Sequence, residues 1–197
     1  MSRAAAIYLA SQSPRRGELL DQLGIRHRVL VPDVNEAVLP KETPEDYVRR
    51  LARIKAEVAA MRMRERRMKE LPVLAADTSV ILGRRILGKP ASGDDAAAML
   101  RALSGKTHRV LTAVAVVFQG KLAVALSDTA VRFRRLNARE IAAYVATGEP
   151  LDKAGAYAIQ GRAAAFIKQI DGSYSGVMGL PLYETAQLLG KFGISIP

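Results

Sequence analysis

The sequence predicts an α/β fold: a mixed twisted sheet with flanking helices. Three observations predict it. Apolar, β-branched runs alternate with helix-length segments that carry start and stop signals. The spacings between the runs are of two kinds, a tight hairpin around Gln119-Gly120-Lys121 and longer helical crossovers, so antiparallel and parallel neighbours are both required. The chain has 197 residues, 49% of them apolar, enough for one compact core and too apolar for a disordered segment. Residues 1–197 are read as a single domain with no repeat, no low-complexity segment and no linker.

The elements follow in order. Ile7 to Ala10 is a short apolar strand. Ser13-Pro14 opens a helix, with Ser as N-cap and Pro at the first helical position, and Gly24 closes it. Residues 28 to 34 read as a second strand. Thr43-Pro44-Glu45-Asp46 starts a long helix, its two acids favoured by the positive end of the dipole, which runs to about residue 69. Val73 to Leu82 is a buried strand, and Gly83-Arg84-Arg85 turns it into a short strand at Ile86-Leu87. Ser92 caps a helix ending near Gly105. Residues 107–118 and 122–134 form the hairpin. Asn137 with Glu140 three positions on makes a capping box, and Gly148 ends that helix. The glycine-punctuated stretch from Gly148 to Gly161 reads as a functional loop. A strand near 164–170, a glycine-rich turn through Gly179 and a helix opened by Pro181 complete the chain.

Composition restricts the chemistry. Lys and Arg number 30 against 19 Asp and Glu, a net charge of +11, with two histidines and no cysteine. A disulfide scaffold, a thiol nucleophile and a cysteine or multi-histidine metal site are excluded. Any metal must be held mainly by carboxylates, which favours Mg²⁺ or Mn²⁺. The first residues lack a signal-peptide cleavage pattern, and no apolar run approaches the roughly 18 residues of a membrane span, so a cytoplasmic protein without a membrane partner is expected. The positive charge admits two readings, an anionic partner or a solvated basic surface.

Several constellations can carry chemistry. Ser11-Gln12-Ser13-Pro14-Arg15-Arg16 lies between a strand and a helix, where free amides, hydroxyls and two guanidiniums make a phosphate cradle. Arginines in a first helical turn oppose the macrodipole, a cost that a bound anion offsets. Asp77, followed by Thr78, interrupts a buried strand. It is either a base or metal ligand on a rigid element, or a structural acid satisfied by backbone amides. Gly83 to Lys89 matches the front of a P-loop, but Pro90 stands where that loop needs a hydroxyl for Mg²⁺, so the match is rejected; Lys89 remains a candidate phosphate contact. Lys55 falls on the apolar stripe of Val48, Leu51 and Val58, and either snorkels to the surface or enters a cleft. Gln160 has the paired donor and acceptor that can read a base edge. His27 and His108 are read as structural or surface residues.

Taken together these segments resemble the Maf family (Maf/Ham1-like nucleotide pyrophosphatases). The likeness rests on Leu9-Ala10-Ser11-Gln12-Ser13-Pro14-Arg15-Arg16, Ala76-Asp77-Thr78, Leu87-Gly88-Lys89-Pro90, Leu103 to His108, Asp152 to Tyr157 with Ile159-Gln160-Gly161, and Gly179-Leu180-Pro181-Leu182, in order from Tyr8 to about Leu189. The resemblance implies two lobes around a central nucleotide cleft, hydrolysis of a nucleoside triphosphate to monophosphate and pyrophosphate, a divalent cation and a homodimer. It implies Asp77 as proton acceptor, with Arg16, Thr78 and Gln160 setting substrate choice. Phosphate would be held by Ser11, Ser13, Arg15, Arg16, Lys55 and Lys89, and the cation by Glu36 and Asp77. Ser-Pro-Arg-Arg with Ala-Tyr-Ala-Ile-Gln-Gly is similar to the branch acting on dTTP and UTP. The sibling branch acting on 7-methyl-GTP is the nearest alternative. A basic module that binds nucleic acid or regulates division is the other, and 5% aromatic content with no Trp gives it a thin stacking platform. The chain departs from the family pattern at Asn35-Glu36, where two acids are usual, and at Gly176, where Asn is usual.

Overall fold

The computed structural model describes residues 6–196. Its elements are β1 (Ile7–Leu9), α1 (Pro14–Gln22), β2 (His27–Val29), α2 (Pro44–Glu65), β3 (Val73–Leu82), β4 (Arg85–Leu87), α3 (Gly93–Leu103), β5 (Thr107–Phe118), β6 (Lys121–Phe133), α4 (Ala138–Val145), β7 (Ile167–Asp171), α5 (Tyr174–Met178) and α6 (Leu182–Gly190). One seven-stranded sheet runs β2-β1-β3-β5-β6-β7, with β4 paired to β3 off this path. β1 is parallel to both β2 and β3, and β3, β5, β6 and β7 are mutually antiparallel. The sheet is therefore mixed, and β3 is the strand where its two halves meet.

Register on β3 fixes the rest. One edge pairs with β5 without a break from Val73 to Ile81. The other edge pairs with β1 only at Val73 and Leu74, and with β4 only at Val80 to Leu82. Residues 75–79 thus run past the carboxyl end of β1 before β4 takes over, which is the position where α/β sheets open a crevice.

Alternation along β3 sends successive side chains to opposite faces. Val73, Ala75 and Ile81 pack with Leu111, Ala113 and Ala115 of β5 against α2, through Val48, Ala52, Ala56 and Ala59. Leu74 and Ala76 pack with Val114 and Val116 against α1 and α6. Further along that second face, Val80, Val110 and Val131 meet α3 and α4 in a third cluster. The alanines on α2 and β3 let helix and sheet approach closely.

Caps behave largely as the residue types require. Thr43 Oγ1 accepts from the Asp46 amide at 3.1 Å, and Asn137 and Glu140 exchange the two bonds of a capping box at 2.9 and 2.8 Å. Ser13 occupies the N-cap of α1, but its side chain makes no capping bond; Ser11 Oγ instead accepts from the Ser13 amide at 3.1 Å.

Four boundaries are corrected. The second strand covers 27–29 rather than 28–34: Leu30 still donates to the Leu9 carbonyl, but Pro32 has no N–H and the chain turns irregular. α2 stops at Glu65 rather than near 69, because Arg67 takes a left-handed φ of 49°. The strand expected near 164–170 is β7 and starts only at Ile167, because Arg162–Phe166 form a short 3₁₀ helix before it. The glycine-rich turn contains a one-turn helix, α5, closed by Gly179 at φ 116°.

Candidate active site

A cavity of about 730 Å³ opens at the crevice beside residues 75–79 of β3. That volume suits a nucleotide-sized ligand. Every candidate residue lines it: Ser11, Ser13, Arg15 and Arg16 from the β1–α1 corner, Glu36 from the loop after β2, Lys55 from α2, Asp77 and Thr78 from β3, Lys89 after β4, and Gln160 from the segment after α4.

Asp77 points to the α2 face. Its carboxylate is almost fully buried, and Lys55 Nζ donates to Oδ1 at 2.7 Å. The same ammonium lies 2.7 Å from Glu36 Oε1. Of the two readings of Lys55, the cleft is the one realised. Burial raises the Asp77 pKa above the ordinary carboxylate value, while the charges of Lys55 and Arg16 pull it back. Among the described residues Lys55 is the one protein donor to this carboxylate, so Oδ2 is left for solvent or ligand.

Glu36 sits on irregular chain, yet that chain is tied to α2. Tyr47 Oη donates to the Glu36 carbonyl at 2.9 Å, and Arg50 Nη2 donates to the Ala37 carbonyl at 3.0 Å. Arg50 also grips Glu42 through both nitrogens, at 2.5 and 2.8 Å. Burial and the nearby carboxylates push the Tyr47 hydroxyl up to about 12, so it stays a donor at neutral pH.

Thr78, one residue on, points to the α1 face. Arg16 spans that side: Nη2 donates to Thr78 Oγ1 at 3.2 Å, Nη1 to Ser11 Oγ at 3.1 Å and Nε to the Gly179 carbonyl at 2.7 Å. Burial lowers the Arg16 pKa and Asp77 raises it again; guanidinium remains charged throughout the accessible pH range. Thr78 Oγ1 lies 3.0 Å from Thr112 Oγ1, which donates to the Gly176 carbonyl at 2.7 Å.

The segment carrying Gln160 is braced from below. The Gly155 amide donates to the Gly88 carbonyl at 3.0 Å, joining it to the chain just before Lys89. Gly155 has φ +68°, and a Cβ there would meet Val80 at 2.8 Å, so the position demands glycine. Tyr144 Oη donates to Glu149 Oε1 at 2.8 Å, while the Glu149 carboxylate accepts from the Arg162 amide at 3.1 Å. Tyr157 Oη and His108 Nε2 lie 2.8 Å apart, in a buried edge-to-face cluster with Phe133. Burial drops the His108 pKa to about 4, so it is neutral and structural, as read from the sequence. Ile86 and Leu87 are extended in β4, which bears out rejection of the P-loop.

Three residues of this neighbourhood were missed: Tyr47, Lys153 and Thr112. Lys153 lines the cavity beside Asp152. Its signal was present, a lysine in the same glycine-bounded loop as Gln160. Thr112 carried none, because a threonine in an apolar strand is an ordinary β-former.

The family model for Maf-like proteins matches residues 6–192. The chain belongs to the Maf family. Curated Maf relatives match almost end to end. A dTTP/UTP pyrophosphatase of Nitrosomonas europaea is 57% identical over 96% of each chain. One of Cupriavidus pinatubonensis is 60% identical over 93% of this chain and 94% of its own. Among solved structures, the Staphylococcus aureus Ham1 protein aligns over 81% of this chain and 90% of that one, with a TM-score of 0.45 and 16% identity. Among the described residues no helix is long and apolar enough to cross a membrane.

Proposed function

We infer that this Maf chain is a nucleoside triphosphate pyrophosphatase, a hydrolase that converts dTTP and UTP to the monophosphate and pyrophosphate. The observation that carries the reading is the near full-length match to relatives of that name at 57% and 60% identity. The same names favour dTTP and UTP over 7-methyl-GTP. The cavity supports it independently, with a buried carboxylate on one side and basic groups on the others.

In the proposed reaction, the α1 amides and Arg15, Lys89 and Arg16 receive the triphosphate. Asp77 orients a water and takes its proton as the oxygen bonds to the α-phosphorus. The bond from the α-phosphorus to the bridging oxygen breaks, and pyrophosphate leaves with that oxygen. Gln160 and Thr78 face the nucleoside end and restrict which base is accepted. Catalysis is then mainly positioning and charge neutralisation, which needs neither cysteine nor histidine.

A divalent cation belongs to this proposal. The donor set fits one: the oxygens of Glu36 and Asp77 both converge on a positive charge, the Lys55 ammonium. Among the described residues no group of three or more acidic, His or Cys side chains could hold an ion. Two carboxylates completed by phosphate oxygens and water are what Mg²⁺ accepts. Such an ion would be held by Glu36 and Asp77 and would supply charge neutralisation at the phosphates. The homodimer and the cytoplasmic location stand as parts of the same proposal, and sedimentation of the purified protein in the analytical ultracentrifuge checks the former.

A nucleotide panel with pyrophosphate detection, with and without Mg²⁺ and Mn²⁺, tests the function. Release is expected from dTTP and UTP, and only with a cation. A strong preference for 7-methyl-GTP, or no release from any nucleotide, overturns the reading.

A further inference from the structure

Arg16 and Thr78 are tied, through Thr112 and the Gly176 and Gly179 carbonyls, into a closed hydrogen-bond circuit beside the cavity, and Thr112 has no role assigned above. Its direction follows from counting hydrogens. A carbonyl only accepts, so the single hydrogen of Thr112 is committed to the Gly176 carbonyl, 2.7 Å away. A guanidinium only donates, so Thr78 Oγ1 accepts from Arg16 at 3.2 Å. The contact of 3.0 Å between the two threonine oxygens therefore has one direction, Thr78 donating to Thr112. Arg16 closes the circuit through its third contact, Nε to the Gly179 carbonyl at 2.7 Å.

The circuit thus holds the segment 176–179 at both ends. Between those anchors lie Val177 and Met178, which line the cavity. Thr112 itself is fully buried and has no contact with the cavity. It lies directly across from Thr78 on the same face, and its neighbours along that face of β5, Val110 and Val114, are buried and apolar. A valine has the same shape, and a buried hydroxyl is costly unless bonded. What distinguishes threonine here is the pair of bonds its hydroxyl makes, to Thr78 and to the Gly176 carbonyl.

We propose that Thr112 is a positioning residue for substrate selection: by fixing the Thr78 hydroxyl and the Gly176 carbonyl, it sets the Arg16 fork and the cavity wall at 176–179. The inference rests on the pyrophosphatase reading. In Thr112→Val the Thr78 hydrogen loses its acceptor and the Gly176 carbonyl loses its donor, while the packing volume is kept. Thr112→Ser keeps both bonds.

The experiment measures kcat and KM for dTTP, UTP, CTP and dGTP, dTTP binding by calorimetry without divalent ion, and melting temperature, in wild type, Thr112→Val, Thr112→Ser and Thr78→Val with and without Thr112→Val. Thr112→Val is expected to raise the KM for dTTP and weaken its binding by about 5- to 10-fold, because the two lost bonds act on substrate only through the groups they position. The preference for dTTP over CTP and dGTP should shrink by a similar factor, with kcat changed less. Thr112→Ser should recover both, and Thr112→Val should cost clearly less in the Thr78→Val background than in wild type, because the bond the two threonines share is already gone there and only the Gly176 bond is left to lose. Unchanged selectivity and binding in Thr112→Val overturn the proposal. So does an equal loss for every nucleotide that persists in the Thr78→Val background and follows a fall in melting temperature. If wild type releases no pyrophosphate, the functional reading fails instead, and the binding comparison alone decides the role of Thr112.

Discussion

The two faces of β3 at the cavity are built on different chemistry. Asp77 looks toward α2 into charge: Lys55 and Glu36 meet it within one cluster of ion pairs. Thr78 looks toward α1 into a chain of oriented hydrogen bonds from Arg16 through two hydroxyls to a carbonyl. The first side works by magnitude of charge and is sensitive to pH; the second works by direction and is sensitive to geometry. A single peptide link joins them, so one strand supplies both the carboxylate of the charged side and the hydroxyl of the directional side.

The largest test of this contrast is Asp77→Asn. It keeps the shape of the charged side and removes the proposed proton acceptor, so kcat for dTTP should fall about 10²- to 10⁴-fold with little change in circular dichroism. Wild-type turnover in the purified variant would remove Asp77 from its role.

On the directional side, Arg16→Lys keeps the charge and loses the fork that reaches Ser11, Thr78 and Gly179 together. A fall of about 10- to 100-fold in kcat/KM is expected, from one or two lost charged hydrogen bonds. A lysine that serves equally well would show that charge alone matters on both faces.

The charged side should also titrate. A base acts when deprotonated, so activity is lost as pH falls through the Asp77 pKa, which burial raises and Lys55 lowers. In Lys55→Met that restraint is gone, and the acid limb of the kcat/KM profile should move to higher pH. A limb that stays in place or moves down would contradict the coupling.

That measurement needs a control for unfolding. His108 has a folded pKa near 4 against 6.5 in the unfolded chain. The unfolded state takes up a proton that the folded state refuses, so stability is intact above pH 6.5 and declines as pH falls toward 4, by up to about 3 kcal/mol. Denaturant titrations should show the slope in wild type and its loss in His108→Gln.

The smallest effect is expected at the exposed Arg109, which pairs with Asp128 and with Glu45 at 2.8 Å. Arg109→Ala should cost about 0–1 kcal/mol and leave turnover alone.

Much of this was legible in the chain. The place of Ser11 to Arg16 on the cavity wall announced itself because arginines at a helix start contradict the dipole, and that of Asp77 because an acid interrupts an apolar strand. The mixed sheet and the hairpin followed from spacing and Gln119-Gly120; the strand order did not. What stayed hidden depended on distance in sequence. Lys55 shares its helical stripe with core residues, so only the position of β3 decides whether it meets a cleft or solvent. The His108–Tyr157 contact joins residues 49 apart. Thr112 resembles any strand residue until α5 folds over it. The irregular course of 31–42 is held by Tyr47 and Arg50, whose reach no local pattern encodes.

The unbroken pairing of β3 with β5 from Val73 to Ile81 has one more consequence. Substitutions can accumulate one at a time along this strand, but its length is frozen. One residue inserted or deleted before Asp77 would exchange carboxylate and hydroxyl between their helices and disable both partners at once. The turn at Gln119-Gly120 carries no such constraint, so lineages of this enzyme should differ in length there sooner than between the start of β3 and Thr78.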